Sequence, residues 1–560
     1  MSALDPIAVE VIKSALVYAS EEMGIAVRNS AYSPNIKERL DHSCALFDAS
    51  GRLIAQAEHI PVHLGSLPWG LSETMKVVAR DYGGPREGEM WVANDPYITG
   101  THLNDVTAIR PIFLAGTLLG YAANKAHHTD VGGSVPGSMP ADAAELFAEG
   151  LIVPPMRLVE RDEPVAVTIA LFRANSRTPD ARSGDLRAQM AGNYTGERRL
   201  IELCERYGRE VVAAAIERIL DDSEKRMRNA LRALGDGVFE SVDFLEDRSG
   251  KPTIRIALAL TLRDGTARLD YTGTSEQVSF PLNAVFGVTL SGVHYALRAV
   301  TDPTIPMNDG CFRPVEVVVL AGTLLNPRRP APVSGGNVET STRNADVVLQ
   351  ALARAAPERV PASSGGTMSN VMLGGTRPDG RAWAFYETNG CGMGARPTCD
   401  GIDGIQCHMT NTLNTPIEAI ERDYPLRVTR YEFVPNTGGA GRYRGGNGLV
   451  RAIELVEGSA RASLLADRHT LPPPGAQGGE PGACGRHTLI RDGAERAVAA
   501  KATLALQPGD VLVVQTPGGG GFGDGSGSCA ERIERKGSAT TVPSREPSSS
   551  ESLRIIGEPT

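Results

Sequence analysis

The 560-residue sequence has no stretch approaching the ~20 consecutive apolar residues of a membrane-crossing helix, so no such helix is expected. Its N-terminus, MSALDPIAVEVIK, has no basic region followed by an apolar run, so it does not read as a secretory signal. None of the eight cysteines forms a CxxC pair, and without a signal they read as reduced thiols of a cytoplasmic protein. Positive charge is also short. The formal net charge is −9, which argues against general nucleic-acid binding. No GxxxxGK[ST] phosphate loop occurs, and we find no other nucleotide-binding fingerprint. Aromatic residues make up only 5%. In their place the chain has 62 glycines and 37 prolines, nearly a fifth of its residues, against about an eighth in average usage. Loops built by backbone rather than by bulky side chains are the expectation, in a chain long enough for roughly three domains.

Periodicity gives a multi-domain α+β fold with mixed helices and largely antiparallel sheets. Asp5 caps a first helix with Pro6 in its first turn. Val9, Ile12, Leu16, Ala19, Met23 and Ala26 then mark one helical face that ends near Ser30. Residues 41–56 read as a β-hairpin turning at Asp48–Gly51. A second helix is expected over about 66–81, and a second hairpin over about 105–128, turning near Ala115-Gly116. Residues 186–234 read as helical, and strands follow over about 238–275, so a soft boundary is placed near 235. The expected organisation is an N-terminal metal-site domain over 1–235, a glycine-rich α+β region over 236–524, and a disordered Ser-rich tail over 525–560. In the glycine-rich region we expect turns, strands and short helices such as 346–355. Its runs PGGGGFG (517–523), RGGNG (444–448) and SGGN (334–337) read as tight turns rather than phosphate cradles. Cys391, Cys399 and Cys407 recur every eight residues, which chance explains more readily than a thiolate metal site.

The strongest chemical signal is His102-Leu103-Asn104-Asp105 followed by His127-His128-Thr129-Asp130. Imidazole nitrogen and carboxylate oxygen together suit Zn, Mn or Fe. Opposed residues of an antiparallel hairpin have numbers of constant sum. A turn centred on Gly116 therefore sets Asp105 opposite His127, and His102 opposite Asp130. Pro111 lacks an N–H for the ladder and belongs at an edge or bulge. Any one of these residues alone is more simply a polar turn or surface group; their convergence favours a metal site. Asp41, in ERLDH, reads by itself as a cap or turn residue. His59 and His63 read as core or substrate-side residues, since Pro61 between them excludes a helical zinc motif.

The stretches KERLDHSCALFD, HIPVHLGS, NDPYITGTHLND, HHTDVGG, NVETSTRNADVVLQAL, GGAGRYRGGNGLVR and TPGGGGFGD, in this order, resemble the hydantoinase B/oxoprolinase family over about residues 5–524. That family includes the B-type component of ATP-dependent N-methylhydantoinase, the C-terminal half of 5-oxoprolinase, and a subunit of acetone carboxylase. The resemblance implies a hetero-oligomer in which ATP is held by a hydantoinase A-like subunit, which phosphorylates the substrate. The B-type chain would carry a divalent metal and complete hydrolysis of a lactam or hydantoin. Carried over by motif, the metal ligands would be Asp41, His102, Asp105 and His127. His128 and Asp130 remain as supporting or acid–base residues. A ketone carboxylase subunit and a non-catalytic scaffold are the alternatives.

Overall fold

The computed structural model of the protein describes residues 5–57 and 59–525; from residue 526 on, the expected tail lies outside the described residues. Helix Pro6–Ser30 begins where Asp5 accepts the Ile7 N–H, with Pro6 in the first turn. Its buried face is Ile12, Leu16, Ala19, Met23 and Val27. That face and helix Pro179–Tyr207 share one hydrophobic cluster with Cys44, Leu46, Ala122 and Ala126 of a seven-stranded sheet.

This sheet runs Leu53–Gln56, His42–Asp48, Thr117–His127, Asp105–Leu114, Met90–Ala93, Met156–Glu160 and Glu163–Pro164, antiparallel throughout. Successive strand side chains point to opposite faces. Cys44 and Leu46 therefore meet the first helix, while Ala45 and Phe47 meet Leu67 and Leu71 of helix His63–Tyr82.

A four-stranded sheet follows (Gly237–Leu245, Ile254–Arg263, Thr266–Asp270, Val315–Val318), its last pair parallel. Helices Phe286–Val300 and Ser341–Ala355 pack beside it, in a cluster that also takes Ile60, Val62 and Leu103 from the N-terminal part. A four-stranded and a five-stranded sheet complete the chain. They share a core in which Val371, Leu373 and Phe385 meet Ile453, Leu512 and Val514.

The glycine runs are structural. The N–H groups of Gly518, Gly519, Gly520 and Gly521 donate to the carbonyls of Ala483, Gly446, Ser363 and Glu480 at 2.8–3.0 Å, which leaves none to cradle a phosphate. A side chain is excluded at Gly519, where a Cβ would stand 2.2 Å from the Met393 carbonyl oxygen.

Several elements differ from expectation. The helical stretch read over 186–234 is two helices, Pro179–Tyr207 and Arg209–Arg232, separated at Gly208, and the short helix read at 346–355 begins at Ser341. Helix Phe286–Val300 occupies a stretch read only as part of the mixed glycine-rich region. The second helix begins at His63 rather than at 66. The early start of the second helix has a cause outside that helix. Helix His63–Tyr82 has no side-chain cap of its own. Ser291, from helix Phe286–Val300, accepts the N–H groups of Gly65 and Ser66 at 3.0 Å each and donates its hydroxyl to the Val62 carbonyl at 2.6 Å. The helices cross so closely that a Cβ on Gly65 would lie 2.6 Å from the Ser291 nitrogen. Ser291→Ala removes this long-range cap. It is expected to destabilise the protein by about 1–2 kcal/mol, read as a lower urea midpoint at unchanged slope.

Candidate metal centre

The sheet's central hairpin sets the site. Asp105 pairs with His127, and the same register holds as far as Ile112↔Gly120. The one irregularity lies between Ile112 and Phe113, beside Pro111 and close to the turn, so it leaves the far end undisturbed. His102 sits in the turn leading into the strand, where the Asp105 N–H donates to its carbonyl. Three ligand-type atoms converge there. His102 Nε2 lies 3.1 Å from Asp105 Oδ1 and 3.2 Å from His127 Nδ1, and the last two are 3.4 Å apart. Asp41 comes from the neighbouring strand edge. Its carbonyl accepts the His127 N–H at 3.0 Å, and its Oδ2 stands 3.8 Å from His127 Nδ1.

These distances fit a bound cation. Ligand atoms each ~2.1 Å from one ion stand about 3.0–3.4 Å apart at octahedral to tetrahedral angles. Two imidazole nitrogens this close, beside a carboxylate oxygen, need a proton or a cation between them. His102, Asp105 and His127 are the one such group found among the described residues.

The surroundings hold the three in place. Asp105 Oδ2 is 3.4 Å from both His63 Nε2 and Asn337 Nδ2, and Ser43 Oγ is 2.8 Å from His63 Nδ1. Tyr386 stacks on the His127 ring at 4.6 Å and 5°. Arg39 lies over Tyr386 and pairs with buried Glu387 at 2.9 Å. The outward nitrogens His102 Nδ1 and His127 Nε2 have no hydrogen-bond partner, so packing sets both rings. Burial opposes the charge of Asp105, but His102 and the bonds from His127 and His63 outweigh it and hold the carboxyl well below its usual range. Burial draws His127 below its usual value against the pull of Asp41 and Asp105, which favours the neutral, ligating form. Burial also brings Lys125, on the same strand face, down to about 7 although Asp105 opposes it.

His128 and Asp130 are not brought to this cluster. Neighbouring strand residues point to opposite faces, so His128 turns toward helix Pro179–Tyr207, where its Nε2 meets Gln189 Oε1 at 3.0 Å. Asp130 does not face His102, because the ladder stops at Asp105 and His127. Its carboxylate instead accepts the N–H groups of Gly132, Gly137 and Arg177 and pairs with the Arg177 guanidinium at 2.9 Å. His59 stays outside the cavity that His63 lines. Sequence reasoning missed Asn337 and Tyr386. Asn337 reads as part of a turn, yet it begins a polar run, NVETSTRN, that is buried throughout; such polarity before a helix is the available signal.

The chain is similar to several known proteins. The sequence pattern of the family described as Hydantoinase B/oxoprolinase matches residues 5–525. The chain is 37% identical to 5-oxoprolinase 1 of Arabidopsis thaliana, over 90% of the chain and 40% of that protein, so it spans about two-fifths of that relative. It is 32% identical to a Pseudomonas protein named for the B-type component of a D-/L-hydantoinase, over 93% and 90% of the two chains. Among solved structures it is similar to the ATP-dependent caprolactamase from Pseudomonas jessenii, with TM-score 0.88, 32% identity, and 96% and 94% of the chains covered. Acetone carboxylase, at TM-score 0.86 and 20% identity over 93% and 77% of the chains, shares the fold.

Glu339, two residues after Asn337, accepts the Met368 N–H and the Asn370 amide and has one oxygen without a partner. Burial, with Asp467 nearby, raises its carboxyl from 4.5 to about 8. Between those values the folded chain keeps a proton that the unfolded chain has lost, so this group's contribution to stability falls as pH rises. Glu339→Gln keeps the neutral form at every pH. It is expected to exceed the parent in stability at pH 8, by a margin that shrinks toward pH 4.5 at on the order of 1 kcal/mol per pH unit. Urea unfolding at pH 5, 6.5 and 8 measures this, and a pH-independent margin contradicts it.

Proposed function

Because the chain belongs to the hydantoinase B/oxoprolinase family, we propose that it is the metal-bearing subunit of an ATP-dependent cyclic-amide hydrolase, acting with an A-type subunit that binds ATP. The observation that carries this reading is the buried convergence of His102, Asp105 and His127 at mutual distances of 3.1–3.4 Å. Asp41, His102, Asp105 and His127 are the proposed ligands of a divalent Zn, Mn or Fe ion. Such an ion supplies Lewis acidity to a carbonyl or phosphoryl oxygen.

The chain's own residues prepare the place for that chemistry. His63 and Asn337 hold one Asp105 oxygen so that the other faces the two histidines. Ile60, Val62, Met368 and Met409 give the cavity apolar walls, and the low dielectric strengthens every charge interaction inside. Thr388, Thr410 and Thr412 bring hydroxyls to the same cavity, where they suit the N–H and C=O of a ring amide. His128 and Asp130 are proposed to act at one remove, His128 tying the end of the ligand strand to helix Pro179–Tyr207 and Asp130 bracing the loop after it. The 5-oxoprolinase, hydantoinase and caprolactamase names of its relatives all denote action on cyclic amides.

The purified chain is expected to retain about one divalent ion, and His127→Ala or Asp105→Ala to weaken retention by at least ~100-fold without unfolding. With an A-type partner and ATP, the parent is expected to open 5-oxoproline or N-methylhydantoin, and the same variants to abolish turnover. Consumption of acetone and bicarbonate instead would make the chain a carboxylase subunit. An ion-free chain with unimpaired variants would make it a scaffold and end the metal reading.

A further inference from the structure

The metal cavity is narrow. All of the residues lining it are buried, and its open space of about 20 Å³ admits one or two water molecules. A cyclic amide needs several times the ~30 Å³ that one water occupies in the liquid. Part of the wall must therefore move before a substrate can reach Asp105 and His127.

One part of the wall is shared with a second, larger pocket of about 300 Å³. In the segment His59–Leu64, His59, Pro61 and Leu64 line the outer pocket, while Ile60, Val62 and His63 line the metal cavity. The loop at 409–412 is divided in the same way. Asn411 faces outward, and Met409, Thr410 and Thr412 face the metal cavity. Two cross-bonds join these segments, Val62 N–H to the Met409 carbonyl at 3.2 Å and the Asn411 side-chain amide to the His59 carbonyl at 3.0 Å. His408, at the base of the loop, is a non-glycine residue held at φ 57°. Elsewhere the cavity is bounded by the sheet residues Asp105 and His127 and by the π-turn carrying Asn337 and Val338. The double-sided wall is the part of the lining that these two segments share between the two pockets.

The outer pocket suits a small ring. Pro61, Leu64, Ala299, Pro303 and Met307 supply apolar surface, and Arg298 lines it with a guanidinium that donates to Ile305. Five N–H groups on that side chain leave donors for an oxygen acceptor. Apolar walls with a few polar groups, at this volume, are the common form of a small-molecule site.

We infer that this outer pocket is a docking site for a small cyclic amide, its ring against Leu64 and Met307 and an oxygen toward Arg298, and that the wall formed by 59–64 and 409–412 is the gate through which it passes to the metal cavity. The inference rests on the proposed metal-subunit reading for its substrate class; the pocket and the divided wall stand apart from it.

Two measurements test it on the full-length chain. The first is the rate at which pyridine-2,6-dicarboxylate strips the bound ion. Ala299→Trp fills the outer pocket at an exposed position and is expected to slow stripping by about ten-fold. Asn411→Ala removes one cross-bond and is expected to speed it by about five-fold. Both variants keep the parent's melting temperature and ion content. Equal rates in all three proteins overturn the gate. The second measurement needs no ion: amide hydrogen exchange with 2-pyrrolidinone as probe. Residues 59–64 and 409–412 are expected to exchange at least ~100-fold faster than strand Asp105–Leu114, and 2-pyrrolidinone to slow them in the parent but not in Ala299→Trp. Exchange as slow as the strand's, or indifference to 2-pyrrolidinone, overturns the proposal. A chain that retains no ion but passes the exchange test refutes the metal reading and leaves the pocket and gate standing.

Discussion

The antiparallel register that sets Asp105 opposite His127 is the constraint on which the rest of the site depends. A slip of one residue would turn every side chain of that strand to the other face. His127 would then point toward helix Pro179–Tyr207, and His128 toward the cavity. The protein pins the register from both faces. On one, Asn124 donates to the Gln189 carbonyl and to Asn193. On the other, Lys125 donates to the Thr99 carbonyl and Thr101. The irregularity that a proline in a strand brings is confined to the turn end of the hairpin, where it costs the site nothing.

Around this ladder the protein buries an unusual density of polar groups, and pairing makes that tolerable. Arg39, from the segment before the first strand, reaches Glu387, the last residue of a strand formed more than 300 residues later, and Thr388 just beyond it. Asn35 in turn donates to the His127 carbonyl at 2.8 Å. Through these contacts the C-terminal sheets are fixed against the ligand strand rather than merely packed near it. The stacked Tyr386 extends the same contact to the face of the His127 ring.

The ligand strands are legible in the sequence because their information is local. Hairpin pairing follows from a turn and a constant sum, and the first helix announces itself through Asp5, Pro6 and a clean apolar period. The place of His128 is legible too, once alternation is applied through the end of the strand: adjacent residues cannot share a face. The rest is hidden for physical reasons. The start of helix His63–Tyr82 depends on Ser291, over 220 residues away, and no local signal encodes a cap supplied from there. Helix Phe286–Val300 is obscured by its glycines and β-branched residues, which have low helix propensity; packing against the helices that begin at His63 and Ser341 overrides it.

The same split between local and distant information separates the parts of the site by role. The atoms that can ligate a cation come from Asp41 to His127, within the first quarter of the chain. Most of the groups that enclose them, from Asn337 to Thr412, come from the far part of the sequence, with Ile60, Val62 and His63 completing the wall. A carboxylate and two imidazoles on an open sheet edge would be solvated, and their interactions would be those of surface charges. Covered by Tyr386, Met368, Met409 and the threonine loop, the same three groups lie in a buried cavity where each charge counts for more. The charge interactions of these three groups therefore depend on their cover. The glycine-rich region is built differently: backbone packs directly on backbone, as where Gly519 meets Met393 and Gly446, so its loops stack with few bulky side chains between them.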